Sequence, residues 1–162
     1  MLFRSDPDKL GDEYLPPTVF PPDYGPPPAV TSPDGKLIVR VWAGAVERPM
    51  ADRSKDYAKN SVEVLDVKSG HVLHTLISHT AEVRGLAFSP DGRRIATSSW
   101  DRTIKLWDPD TGREVFTLRG HTAGLLVVAF SPDGHRLVSG GIDFTARVWD
   151  ATPLPGDTLR PA

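Results

Sequence analysis

The alternation of apolar and polar positions is clearest in the middle of the chain. Val83–Phe88, Arg94–Ser98, Thr103–Trp107 and Glu114–Leu118 each have the length and the β-branched or aromatic content of a short strand. Turn signals separate them. Ser89-Pro90-Asp91-Gly92 suits a type I turn, with proline setting φ at its second position and glycine closing it. Asp110-Thr111-Gly112 marks a further turn. The first of these strands is apolar on both faces through Leu86, Ala87 and Phe88, as expected of a strand covered on both sides. Four short strands with tight turns predict one small antiparallel sheet.

The same pattern returns. Ser131-Pro132-Asp133-Gly134 follows the first such turn by 42 residues, and His79-Thr80 returns as His121-Thr122 at the same distance. Asp101 returns as Asp143, and Trp107-Asp108 as Trp149-Asp150. Four landmarks at one spacing indicate a repeated structural unit. A looser copy precedes them: Ser32-Pro33-Asp34-Gly35 stands 57 residues before the second turn, while Leu65-Asp66 stands 42 before Trp107-Asp108. The early unit thus carries about 15 extra residues, within 43–60, a mixed-charge stretch.

These landmarks closely resemble the WD-repeat family over roughly Ala29 to Asp150. The resemblance rests on His79 and His121, the Ser-Pro-Asp-Gly turns, and Trp107-Asp108 and Trp149-Asp150. It is weaker in the first unit, which lacks the histidine and has Leu65 in place of tryptophan. The resemblance implies an all-β fold, a partial β-propeller of about three four-stranded blades. The expected organisation is an extended proline-rich arm over 1–28, a divergent blade over 29–80 with an insertion near 43–60, a blade over 81–122, an incomplete blade over 123–152 and a tail over 153–162. After Asp150 no good copy of Glu114–Leu118 follows, so the last blade is expected to lack its outer strand.

A closed propeller needs about 4–8 blades, more than this chain offers. Three arrangements fit: the C-terminal part of a longer propeller, a ring completed by several copies, or an open arc with exposed sheet edges. The degraded first unit favours the first.

Composition narrows the function. The net charge is -2 with a pI near 6.2, which argues against a nucleic-acid partner. There are no cysteines, so cysteine-ligated zinc and disulfides are excluded. No stretch approaches the roughly 18 apolar residues of a membrane span, and the N-terminus lacks the apolar run of a signal peptide. A cytoplasmic location is the expectation. His71 and His74, three apart in a predicted strand, point to opposite faces, and no carboxylate cluster completes a metal site. No cofactor is expected.

The recurring histidine, aspartate and hydroxyl invite a hydrolase reading. The resemblance implies instead a buried hydrogen-bond network within each blade: His79, Thr97, Asp101 and Trp107 in the middle unit, and His121, Ser139, Asp143 and Trp149 in the last. A constellation that appears twice at one spacing fits a structural repeat better than a single active site, and no Gly-x-Ser-x-Gly elbow is present. The expected function is therefore a non-catalytic scaffold that binds a protein or peptide. The alternative is the regulatory tail of a larger signalling enzyme such as a protein kinase.

Three positions per blade are expected, from the resemblance, on the partner-binding face. They are Glu82, Arg84 and Trp100 in the middle unit, and Gly124, Leu126 and Ile142 in the last. Trp100 is the natural anchor. Leu126, inside the apolar run Leu125–Phe130, is expected to be buried.

Overall fold

The computed structural model describes residues 28–41 and 61–152. The expected arm, the 43–60 insertion and the 153–162 tail lie outside the described residues, apart from Pro28. The described residues are all-β. Eleven strands run in chain order: β1 (Ala29–Thr31), β2 (Leu37–Val41), β3 (Ser61–Asp66), β4 (Val72–Ile77), β5 (Val83–Phe88), β6 (Ile95–Ser99), β7 (Thr103–Trp107), β8 (Glu114–Arg119), β9 (Leu125–Phe130), β10 (Arg136–Gly141) and β11 (Ala146–Asp150). They form three antiparallel sheets, β1-β2-β3-β4, β5-β6-β7-β8 and β9-β10-β11. No helix among them is long and apolar enough to cross a membrane.

The Ser-Pro-Asp-Gly turns set the register. The Ser89 hydroxyl donates to Asp91 Oδ1 (2.5 Å) and accepts the Arg94 N–H (2.9 Å), while Gly92 N–H donates to the Ser89 carbonyl (2.9 Å). Gly92 closes the turn at φ 71°, a left-handed conformation that suits glycine. These bonds draw Arg94 into the turn, so the second strand starts at Ile95, one residue later than its sequence pattern predicts. Neighbouring turns stack: a Cβ on Gly92 would touch Pro33 at 3.6 Å, and one on Gly134 would touch Pro90 at 3.4 Å.

Alternation along each strand builds two cores. Ile95 and Trp107, with Val83 and Leu86, pack on Val39, Val62, Val64 and Leu76 of the first sheet. Ala96, Ile104 and Leu106 point the other way, onto Leu125, Val128 and Leu137 of the third. The middle sheet is therefore buried on both faces, which explains its continuous apolar character. Ile95 and Ile104 are fully buried, and each such side chain stabilises the fold by about 1.5–3 kcal/mol relative to exposure. No sheet covers the far side of the third, so Val127, Val138 and Val148, at 54%, 42% and 66% exposure, face outward.

Polar contacts tie the blades at their outer margins. His74 Nε2 donates to the Asp110 carbonyl (2.9 Å), and the Ser78 hydroxyl donates to Glu114 Oε2 (2.6 Å). The Arg94 guanidinium donates to the carbonyls of Gly134 (2.9 Å) and Ala151, and lies 5.3 Å from the Phe130 ring centre.

Candidate binding face and buried network

Strands β6 and β7 place Thr97 and Trp107 on one face of the middle sheet, two positions across the β6–β7 ladder from being direct partners. The Trp107 indole N–H donates to Thr97 Oγ1 (2.9 Å). His79 Nδ1 donates to Asp101 Oδ2 (2.7 Å), which leaves Nε2 to accept the Thr97 hydroxyl (2.7 Å). The third sheet repeats the chain. Trp149 N–H donates to Ser139 Oγ (2.8 Å), Ser139 to His121 Nε2 (2.8 Å), and His121 Nδ1 to Asp143 Oδ2 (2.8 Å). Every buried polar group named here has a partner, the condition under which such a network fixes geometry.

The first sheet departs at the same register. Arg40 and Glu63 occupy the places of Thr97 and Lys105, and Arg40 Nε donates to Glu63 Oε2 (2.9 Å). An exposed ion pair replaces the buried indole–hydroxyl–imidazole chain.

Two threonines belong to the network and were not among the predicted residues. Thr103 Oγ1 donates to Asp101 Oδ1 (2.5 Å) and Thr145 Oγ1 to Asp143 Oδ1 (2.8 Å). The backbone N–H groups of Thr80 and Thr122 complete each aspartate at 3.1 Å. Both threonine pairs recur at the 42-residue spacing, so the signal was present. Burial by itself raises the Asp101 carboxyl. The bonds from His79, Thr103 and Thr80 outweigh it and hold Asp101 well below the usual carboxylate range. Asp143 is held low in the same way, burial opposing and Thr145 and His121 prevailing. Glu114 is lowered to about 2, because the bonds from Ser78, Thr117 and Lys105 overcome the burial that would raise it.

The predicted face residues gather at the end of the sheets where β5 and β9 begin. Trp100 N–H donates to the Glu82 carbonyl and Ile142 N–H to the Gly124 carbonyl, both at 2.9 Å. Arg84 lies 5.5 Å from the Trp100 ring centre and pairs with Glu82 at 3.0 Å. Trp100 leans on the next blade: a Cβ on Gly124 would sit 3.2 Å from it. Gly124 is consequently buried and offers no surface of its own.

Leu126 overturns its expectation of burial, being 43% exposed. The ladder explains it. Gly140 pairs with Val127 and Gly141 with Leu125, so Leu126 is the extra residue of a β-bulge. A bulge leaves its extra residue unpaired and re-aims the side chain. Arg84 holds the same place in β5, between Val83 opposite Ser99 and Gly85 opposite Ser98. One bulge repeated in two blades thus turns one side chain per blade outward. Ile142 is 48% exposed, and Phe144, which sequence reasoning did not single out, is 99% exposed at φ 58°. Its equivalent, Arg102, has φ 70°. The hairpin imposes a left-handed backbone on both, which costs a residue with a Cβ about 1–2 kcal/mol. Among the described residues no cluster of three or more histidine, aspartate or glutamate side chains could hold a metal.

The architecture defines a class: stacked four-stranded antiparallel blades, each locked by a tryptophan, a hydroxyl, a histidine and an aspartate. Residues 70–108 and 112–150 each match the model of the WD domain, G-beta repeat, and the chain is a WD40-repeat protein. Similar proteins share the repeat. An uncharacterised WD repeat-containing protein of Synechocystis sp. is 48% identical over 52 residues, 32% of this chain and 15% of that protein. COMPASS component SWD3 of Saccharomyces cerevisiae is 40% identical over 77 residues, 48% of this chain and 19% of the relative. Nuclear distribution protein PAC1 of Arthroderma benhamiae is 41% identical over 59 residues, 36% and 12% respectively. The chain spans less than a fifth of the length of these relatives.

Proposed function

We propose that this chain is a non-catalytic scaffold that binds a protein or peptide on the end of the blades carrying Arg84, Trp100, Leu126 and Ile142. The observation behind this reading is the repeated bulge. It turns Arg84 and Leu126 outward beside a Trp100 that is 40% exposed yet held by Gly124 and stacked under Arg84. A rigid aromatic with a cation beside it suits a binding hot spot. Phe144 and Ile142 extend the face with apolar surface. One of the similar proteins is named as a component of COMPASS, which agrees with a role in assembly.

The same geometry speaks against hydrolysis. The His79 side chain is 0% exposed and Thr97 is 0% exposed, so no substrate carbonyl can approach that hydroxyl. The test compares affinity capture by the wild-type chain and by Trp100→Ala/Arg84→Ala, after melting curves show both fold alike. Loss of a specific captured partner is expected. An identical set of captured proteins removes the proposed face from consideration.

A further inference from the structure

In the first two sheets a fourth strand closes the outer side, β4 on β3 and β8 on β7. Among the described residues β11 has no such neighbour. Its outward N–H and C=O groups form a strand template. We propose that β11 accepts an antiparallel strand from a partner protein, one that carries a carboxylate and a hydroxyl toward Arg147 and an apolar side chain toward Ala146. This edge is separate from the rim face of Trp100.

The chemistry of the strand follows from the repeat. Arg147 sits opposite Ser139 as Lys105 sits opposite Thr97. Lys105 Nζ is satisfied by the fourth strand, donating to Glu114 Oε2 (2.9 Å) and to Thr117 Oγ1 (3.0 Å). Thr117 is its direct cross-strand partner, and Thr75 holds that place opposite Glu63 in the first sheet. Arg147 is exposed, and among the described residues no carboxylate pairs with it. On the opposite face Leu118 lies across from Ile104 and packs on the second core. Ala146 is the equivalent of Ile104. Trp149 is half-buried where Trp107 is 3% exposed, because β8 covers the latter and nothing described covers the former.

Main-chain bonds along the edge would supply affinity, and the alternating side chains register. Pro16-Pro17, Pro21-Pro22 and Pro26-Pro27-Pro28 lack the N–H groups a ladder needs, which disfavours the segment before β1 as the occupant.

The probe is a fluorescent peptide with the sequence of residues 112–120, added to the full chain. Saturable binding is expected, with slowed amide hydrogen exchange over 146–150. Replacing the peptide threonine with proline should abolish it. Arg147→Glu should weaken it about fivefold, and a peptide with lysine in place of glutamate should restore it to that variant. Absence of binding, binding indifferent to the proline, or failure of the charge swap to restore affinity overturns the proposal. So do amides at 146–150 that are already slow in the free protein, since the edge would then be filled by this chain or a second copy.

Discussion

Thr97→Val tests the buried network most directly. Valine keeps the shape and the β-branch, so no cavity forms and strand preference is unchanged. What disappears is one hydroxyl that accepts from Trp107 Nε1 and donates to His79 Nε2. Thr97 and the His79 side chain are 0% exposed and Trp107 is 3% exposed, so water cannot replace it. Two buried groups lose a partner at about 1–3 kcal/mol each, partly offset by the buried methyl, giving a loss of about 2–4 kcal/mol. For a unit of this size that lowers Tm by roughly 10–20 °C. Ser139→Ala makes the parallel change in the third sheet, where Trp149 is only half-buried and solvent can reach the indole; the loss there should be about 1 kcal/mol. Urea titration followed by circular dichroism measures both, with the slope m unchanged as a check on the comparison. The reasoning is refuted if Thr97→Val melts with the wild type, or if Ser139→Ala is the more damaging of the two.

Two further outcomes are expected. Ser98 Oγ is buried without a hydrogen-bond partner, so Ser98→Ala should stabilise the protein by about 1 kcal/mol, read as a higher urea midpoint. Asp101 and Asp143 have folded pKa values below the ordinary 3.8, so their carboxylates stabilise the native state fully above that value. That stability is lost as pH falls further through the lowered range. Acid unfolding should therefore steepen below about pH 4, and Asp101→Asn, already without this contribution, should show a shallower acid limb and lower stability at neutral pH.

Much of the fold was legible because the repeat is local. Each Ser-Pro-Asp-Gly turn fixes its own hydrogen bonds, so strand positions could be read to within a residue around Ser89 and Ser131. The His79–Thr97–Trp107 distances were suggested by the 42-residue spacing, and Thr103 and Thr145 lay in the same signal but were passed over as ordinary strand residues. Contacts between blades were not legible. His74 to the Asp110 carbonyl and Arg94 to Gly134 and Ala151 join residues whose separation in sequence carries no pattern. Leu126 failed for another reason. An apolar run reads as buried, but the bulge breaks the period of two, and only the ladder shows where the extra residue falls.

The stacked turns have a consequence for how this chain can change in length. Pro33 against Gly92 and Pro90 against Gly134 form a staircase in which each step is the same size. Removing one whole step of 42 residues would set the Ser131 turn on the Ser32 turn with the same proline-to-glycine contact. Removing five residues inside a step would break a turn and both stacks at once. Wholesale gain or loss of steps is therefore the cheap direction of variation for this protein, and piecemeal trimming within a step the costly one.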